Sequence, residues 1–275
     1  MSDDYLRLRS PELSAALQDD VPVIICLGAI EQHGDHLPVG TDTIQAEGLA
    51  RKAKEVLDAR GIRLLLGPSI TFGLRQFPSE APRDRVGTVS ISSGLFQSLV
   101  KEVANELIRH GFRRLYLLIG HAENDAPAQL AAKELSEETD AVVTTINWLV
   151  VSGRLNKGSS AFSSPQGHGG AGETSRMMVL LPDSVDLRAG KAFYPKRYGE
   201  TYEGADPPYV GGAVGRYKTP PDSFSSDFAG IIGSPEESSA EAGVRLIDMI
   251  GTWIADVVEF EESIWKGPPR LASRV

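Results

Sequence analysis

Three continuous apolar runs, separated by helical patterns, constrain the fold of this chain most. The runs are VPVIICLGAI at 21–30, RRLYLLIG at 113–120 and AVVTTINW at 141–148. Runs without alternation of polar and apolar residues are typical of strands buried on both faces. Helical patterns lie between them, at 43–61, 93–112 and 126–139. This order predicts an α/β protein with a mostly parallel sheet covered by helices on both faces.

Further elements complete this prediction. Two more strands are expected at 62–70 and 88–92, and Ser92 or Ser93 is expected to cap the helix that follows. A C-terminal helix is predicted to start near Ser234 and Pro235, because proline favours the first position of a helix. Residues 190–228 are rich in Gly, Pro, Tyr and Ser, which predicts an active-site loop or an interface arm. No linker divides the chain, so we expect one domain over 1–275.

Charge and cysteine content exclude several classes of protein. The net charge is −9 and the isoelectric point is near 5.1, which disfavours binding to nucleic acid or to an anionic membrane. No apolar run approaches the ~20 residues of a membrane helix, and the N-terminus does not resemble a signal peptide. The chain has one cysteine, Cys26, which fits a reducing cytoplasm. Its place in an apolar run predicts a small buried hydrophobe.

Polar clusters follow the predicted strands. In open parallel sheets, ligands bind beyond the carboxyl ends of the strands. The first cluster follows the first strand in GAIEQHGDHLPVGTD, the second is GHAEN after the strand at 113–120, and the third is the glycine-rich turn GHGGAGETSRMM. Their candidate functional residues are Glu31, His33 and Asp42; His121 and Glu123; and His168 and Glu173.

The first two clusters hold the ligand types of a metal site. Two imidazoles and three carboxylates suit Zn²⁺, Mn²⁺ or Fe²⁺. In an extended segment, residues two apart point to the same side, so Glu31 with His33, and His121 with Glu123, can each face one centre. Five ligands are too many for one tetrahedral ion but suit two ions that share a carboxylate. Asp42 is the better candidate for that bridge.

Individual histidines in these clusters and elsewhere have simpler interpretations. A single histidine on a loop is commonly a surface or hydrogen-bonding residue, and we assign that role to His36. His110, near a helix end, is expected to be structural. A dinucleotide-binding fold is set aside, because no G-x-G-x-x-G follows the first strand. The residues alone therefore predict a metal-dependent α/β hydrolase.

Three motifs resemble the signatures of the creatininase (creatinine amidohydrolase) family. They are GAIEQHGDHLPVGTDT, GHAEN and HGGAGETS, in the family's order, and the resemblance spans roughly Val21 to Val258. It implies a three-layer α/β/α sandwich, a centre of two divalent metal ions, hydrolysis of a C–N bond outside ordinary peptides, and a homo-oligomer, often a hexamer.

The resemblance also implies residue roles. Glu31, Asp42 and His121 resemble the ligands of one ion, and His33, Asp42 and Glu123 those of the other, with Asp42 bridging. His168 resembles the family's catalytic histidine, and Glu123 is expected to orient or deprotonate the attacking water. Ser79 resembles a substrate-contacting serine, and Trp148 a pocket tryptophan. Glu173 and Thr174 match the end of the third motif, where Glu173 is favoured as a supporting residue over a ligand.

The chain departs from creatininase proper around the pocket. Gly167 replaces a glutamate, Ser164 replaces a tryptophan, Ala122 replaces a tyrosine, and Pro82 stands where many relatives have a histidine. Loss of aromatic walls disfavours creatinine as the substrate. We therefore predict a small-molecule hydrolase acting on a cyclic amide, imide, formamide or lactone. The alternatives are a processing peptidase of the same family, creatininase itself, and a non-catalytic metal-binding protein.

Overall fold

The computed structural model describes residues 3–76, 86–155, 162–164, 166–194 and 228–267. Within these residues, four parallel strands lie in the order β2-β1-β3-β4. The strands are β1 (Val23–Leu27), β2 (Leu65–Leu66), β3 (Arg114–Ile119) and β4 (Val142–Asn147). The helices are α1 (Ser10–Gln18), α2 (Thr41–Ala59), α3 (Ser93–His110), α4 (Asp125–Glu138), α5 (Trp148–Leu155), α6 (Ala171–Leu180) and α7 (Ala240–Ile264).

Alternate residues of the central strands face two separate hydrophobic cores. Val23 and Ile25 of β1 belong to a core that includes residues of α3 and α4. Ile24 and Cys26 belong to a second core that includes residues of α2 and α7. The strands are buried on both faces because successive side chains point to opposite sides of a sheet. The predicted three-layer α/β/α architecture is confirmed, and Cys26 is the small buried hydrophobe that was expected.

Two of the predicted strands differ from the structure. The expected strand at 88–92 is absent from the sheet: Val89 donates to the carbonyl of Ile30, whereas Ile91 donates to that of Gly73. Because this segment bonds to two different parts of the chain, it forms no continuous ladder. The strand expected at 62–70 is reduced to the two residues of β2.

The C-terminal helix begins later than predicted. Pro235–Glu237 form a separate 3-10 turn, and the extended residue Ser238 interrupts the helical path. Ser239 then caps α7 by accepting a hydrogen bond from the amide of Ala242. At α3 the expected cap is present, since the Ser92 side chain accepts from the amide of Leu95.

Close packing brings the ends of β1 and β3 against the start of α2. A Cβ atom on Gly28 would lie 2.1 Å from Thr43 Oγ1, and one on Gly120 would lie 3.0 Å from the carbonyl oxygen of Asp42. Larger residues would force the strands and helix apart. The first turn of α2 therefore lies directly over the strand ends, where an α/β fold places its ligands.

No helix within the described ranges is long and apolar enough to cross a membrane. Ser79 and Pro82 lie outside the described residues, as does most of the segment at 190–228, of which 195–227 is not described. The single domain over 1–275 stays a prediction.

Candidate metal centre

Five buried polar side chains converge beyond the strand ends. Glu31 and His33 lie on the loop after β1, Asp42 lies in the first turn of α2, His121 follows β3, and His168 lies just before α6. Each of them is at most 8% exposed. Burial of this many ionisable groups is costly unless the charges are paired or bind a metal.

Three imidazoles in this cluster are oriented in the same way. One ring nitrogen of each lies against a main-chain carbonyl: His33 Nδ1 is 2.9 Å from the oxygen of Glu31, His121 Nε2 is 2.9 Å from that of Leu74, and His168 Nε2 is 2.7 Å from that of Gln32. A carbonyl oxygen only accepts, so each of these nitrogens carries hydrogen. The other nitrogen of each neutral ring then presents a lone pair, as in metal-binding histidines.

Those remaining nitrogens point at carboxylates. His33 Nε2 lies 3.1 Å from Asp42 Oδ1, and His121 Nδ1 lies 3.0 Å from Asp42 Oδ2. His121 Nδ1 is also 3.5 Å from Glu31 Oε2. The Asp42 carboxylate thus lies between two imidazoles, which is the position that a bridging ligand requires.

The electrostatics of the site favour positive charge among its carboxylates. Burial lowers the pKa of His33 and His121, but the carboxylates of Asp42 and Glu31, with Glu173 at His33, together outweigh burial and raise the pKa values to about 10 and about 9. Burial alone would raise the pKa of Asp42, yet the two imidazoles hold it well below its ordinary value. Burial raises the pKa of Glu31 to about 7. In the absence of metal, protons on the imidazoles would supply the positive charge.

Two carboxylate oxygens support the same conclusion. In the described part of the chain, Glu31 Oε2 and Asp42 Oδ2 are buried and accept no hydrogen bond. Ligand atoms of Glu31, Asp42 and His121 lie within 4.8 Å of one another, as do those of His33, Asp42 and Glu173. Nitrogen lone pairs beside orphaned carboxylate oxygens fit divalent ions such as Zn²⁺, Mn²⁺ or Fe²⁺.

Glu173 and Glu123 differ in their relation to the cluster. Glu173 Oε2 lies 3.6 Å from His33 Nε2 and also accepts from the amide of Gly169 at 2.7 Å. Glu123 lies on a 3-10 turn (Ala122–Asn124) with its side chain exposed, and it belongs to none of the described groups of converging ligand atoms. The structure therefore brings Glu173, and not Glu123, to the side of His33.

His168 packs against the cluster and borders the pocket. Its ring lies 4.1 Å from that of His33, centroid to centroid, and its Nδ1 lies 3.7 Å from Glu31 Oε2. Burial and the neighbouring His33 hold the pKa of His168 well below its ordinary value. His36 is buried and its Nε2 lies 2.9 Å from Thr174 Oγ1, a role within the fold. His110 is exposed at the end of α3.

A cavity of about 390 Å³ opens over the cluster. This volume suits a small molecule. The expected pocket residues Ala122, Trp148, Ser164 and Gly167 all border it, together with Asp42, His121, His168 and Glu173. The hydroxyl of Ser164 is bonded to the Glu237 carboxylate and to the hydroxyl of Tyr194, so this wall is held in place.

Sequence reasoning missed two residues of the site. Asn124 is fully buried, accepts from the amide of Leu74 at 3.1 Å and donates to the carbonyl of Gly28 at 2.9 Å. Asn124 thereby holds Leu74, whose carbonyl orients His121. Its position in the GHAEN motif was the sequence feature that could have identified it. Arg176 borders the cavity from α6; it lies within the third cluster, GHGGAGETSRMM, but was not singled out as a candidate there.

The fold and the site together define an α/β hydrolase with a candidate centre for divalent metals. The chain belongs to the creatininase family, since the family model described as creatinine amidohydrolase matches residues 7–258. It is 28% identical over 259 residues to the creatinine amidohydrolase of Pseudomonas putida, with 88% of this chain and 90% of that protein covered.

A second curated relative has another activity. The mycofactocin precursor peptide peptidase of Mycobacterium tuberculosis (strain ATCC 25618 / H37Rv) is 29% identical over 193 residues, which cover 66% of this chain and 69% of the peptidase. A solved creatininase in its Mn form is 25% identical with a TM-score of 0.73, covering 95% of this chain and 99% of that one. A Zn–Zn form of a mutant creatininase has also been solved.

Proposed function

We propose that this creatininase-family hydrolase uses two divalent metal ions, Zn²⁺ or Mn²⁺ with Fe²⁺ as a further candidate, to hydrolyse a small molecule. The bond is a C–N bond in a cyclic amide, imide or formamide, or the ester bond of a lactone. The observation that carries this proposal is the set of imidazole nitrogens that face the orphaned oxygens of Glu31 and Asp42 at the base of a small cavity. The Mn and Zn–Zn forms of solved relatives support the choice of metals.

The ligand sets follow from which ligand atoms lie close together. Glu31, Asp42 and His121 would hold one ion, and His33 with Asp42 would hold the other. The third ligand of the second set would be Glu173 by proximity or Glu123 by resemblance to the family. When bound, divalent ions supply Lewis acidity that activates water and polarises a carbonyl.

His168 is the residue that we propose to move a proton. It borders the cavity, and its Nε2–H is committed to the carbonyl of Gln32. Its Nδ1 therefore takes up a proton as water attacks and returns it to the departing nitrogen or oxygen. If Glu123 turns inward in the loaded enzyme, it would orient the same water.

The walls of the cavity favour a substrate other than creatinine. Ala122 and Ser164 stand where creatininase has aromatic side chains, and both border the cavity. The same open walls support the second candidate, a processing peptidase, which the similarity to the mycofactocin precursor peptide peptidase also favours. Creatininase activity is the third candidate.

The test combines metal analysis with a hydrolysis screen. The protein is stripped with a chelator and reloaded with Zn²⁺ or Mn²⁺. It is then assayed on cyclic amides, imides, formamides, lactones and short peptides. We expect close to two ions per chain and hydrolysis that disappears on stripping and returns on reloading. Full activity after exhaustive chelation would refute the mechanism, and hydrolysis of peptides alone would favour the peptidase.

We also propose that the chain forms a homo-oligomer, a hexamer being the form to test first. Exposed apolar side chains gather beside the site: Val39 is 40% exposed, Val86 99% and Val89 50%. Val39 and Val89 are neighbours, because Glu31 donates to the carbonyl of Val39 and Val89 donates to that of Ile30. Val86 is next to Gly87, on which a Cβ atom would lie 2.7 Å from Val39 Cγ1. Light scattering at micromolar concentration checks this, and a stable monomer would contradict it.

A further inference from the structure

A second polar level lies one helical turn from the carboxylates of the metal centre. Gln45 follows Asp42 by three residues on α2, and Arg176 follows Glu173 by three residues on α6. Residues with this spacing share a helix face and lie about 4.5 Å apart along the axis. The two helices thus present carboxylates to the metal centre and, on the next turn, an amide and a guanidinium.

Arg176 is buried and borders the cavity. It is 4% exposed, its Nε donates to Gln45 Oε1, and its guanidinium carbon lies 4.7 Å from the ring centroid of Trp148. A Cβ atom on Gly172, another residue that borders the cavity, would lie 3.7 Å from Arg176 Nη1. The guanidinium is therefore held by a neutral amide and a ring face at the cavity wall.

The charge of Arg176 has no dedicated partner among the described residues. Burial lowers its pKa to about 10, and the charges that favour its protonated form are the carboxylates of Glu173 and Asp42. Both belong to the group of ligand atoms around His33. A buried charge destabilises the protein unless it is paired. An anion bound in the cavity would pair with the charge of Arg176.

Two further donors beside Arg176 lack acceptors. Trp148 Nε1 and Gln45 Nε2 are both buried, and neither has a hydrogen-bond partner within the described structure. The side-chain oxygen of Gln45 accepts a hydrogen bond from Arg176, whereas its NH₂ group has no acceptor within the described structure. A guanidinium with two unsatisfied N–H donors around it, at a cavity wall, is complementary to a carboxylate.

We propose that Arg176 binds a carboxylate group of the substrate, with Trp148 as a supporting donor and Gln45 holding the guanidinium in place. This inference rests on the proposed function, because it concerns the same cavity. It narrows the substrate class to amides or lactones that carry a carboxylate within a few bonds of the hydrolysed bond. Arg176 is then a specificity-determining residue, placed one helical turn from the residues that hold the metal.

The test measures binding, so it does not depend on turnover. Succinamate and succinamide differ only in a carboxylate against a carboxamide, and calorimetry gives their affinities for the Mn²⁺-loaded protein. We expect succinamate to bind the unaltered protein at least about tenfold more tightly than it binds Arg176→Met, and Arg176→Lys to retain part of the difference. The affinity for succinamide should be the same in all three proteins. A contact between the succinamate carboxylate and the metal would contribute equally to the affinity in all three proteins. This holds because their metal content, which is measured, should be the same.

Arg245→Met is the matched control, because Arg245 lies on α7 with an exposed ion pair to Glu241. It should bind succinamate as the unaltered protein does. If Arg176→Met fails to fold, Trp148→Phe keeps the ring and removes one donor, and should weaken succinamate severalfold without affecting succinamide. Unchanged succinamate affinity in the folded variants overturns the inference, as does no binding to the unaltered protein at millimolar concentration. A protein that prefers succinamate but hydrolyses no amide or lactone would instead contradict the proposed function.

Discussion

His121 directs its Nδ1 at Asp42 Oδ2 over 3.0 Å, while the other oxygen of the same carboxylate faces His33 at 3.1 Å. One side chain on α2 therefore joins groups that come from the ends of β1 and β3. Because the two imidazoles lie on different loops, the carboxylate couples the two halves of the candidate centre.

Asp42→Asn should therefore disturb both metal sites together. The amide keeps the shape of the side chain but removes the charge that both ions would share. We expect the ion content to fall from close to two per chain to well below one, measured by plasma mass spectrometry after gel filtration. Asp58→Asn, on the same helix but paired with Lys54 at the surface, is the control and should keep both ions. Two ions retained in Asp42→Asn would exclude it as the bridge.

Glu173→Gln and Glu123→Gln distinguish the two candidates for the third carboxylate. Glu173 lies 3.6 Å from His33 Nε2, whereas Glu123 is exposed. Because Glu173 lies close to His33, we expect Glu173→Gln to lower metal affinity by about 10–100-fold or more. Mutation of a residue that only supports a metal ligand already lowers the affinity by about that factor. Competition with a fluorescent chelator gives the affinities. If only Glu123→Gln lowers metal affinity, then Glu123 turns inward on metal binding and Glu173 serves only to accept the hydrogen bond from the amide of Gly169.

His168→Ala separates a proton carrier from a metal ligand. If His168 moves protons, the variant should keep its metal content and lose about 10²–10⁴-fold in turnover. If it is a ligand, as the proximity of Glu31 and His33 also permits, metal affinity should fall with activity. His110→Ala, at the exposed end of α3, should change neither quantity. Full turnover in His168→Ala would remove it from the mechanism.

The layered fold could be predicted because the strands carry an unusually clear signal. Runs such as that of β3 are buried on both faces, and parallel strands require helices on each side. The short elements could not be predicted. Residues 88–92 have strand composition, yet Val89 and Ile91 bond to different partners, which depends on where distant loops pass.

The convergence of Glu31, His33, Asp42 and His121 could be predicted because these residues follow strand ends at fixed spacing. The orientation of each imidazole could not, because it depends on carbonyls such as that of Leu74, 47 residues from His121 in the sequence. The role of Arg176 could not be predicted for a related reason, although the residue lies within the third cluster. An arginine on a helix is usually exposed, and only the packing of α6 against α2 shows that this one is buried at the cavity.

Cys26 should be unreactive in the native protein. Burial raises the pKa of its thiol to about 12, and the thiolate is the reactive form. We expect no labelling by Ellman's reagent at pH 8 and one thiol per chain after unfolding in guanidinium. Because the unfolded chain ionises this thiol near pH 8.5, the free energy of unfolding should also fall as the pH rises above that value, and less so in Cys26→Ala. Rapid stoichiometric labelling of the folded protein would contradict the burial of this residue.

Ser164→Trp should test the shape of the cavity. The Ser164 hydroxyl is hydrogen-bonded to Glu237 and Tyr194. Ser164 borders the cavity, as does Ala122. An indole at this position would break those bonds and fill space that a larger substrate needs. We expect the KM for the best amide or lactone of the screen to rise at least about tenfold, in line with the overpacking of a fitted site, with metal content unchanged. Ala122→Tyr should act in the same direction.

Ser163→Trp is the matched control, because Ser163 is the exposed neighbour of Ser164 and does not border the cavity. Its KM should stay at the value of the unaltered protein. The same reasoning predicts that the unaltered protein turns over creatinine negligibly beside its best substrate, since Ala122 and Ser164 offer no aromatic side chain to pack against a small planar ring. Efficient creatinine hydrolysis by the unaltered protein would disprove the argument from the cavity walls, and the assignment of Glu31, Asp42 and His121 to the metal would stand on its own measurements.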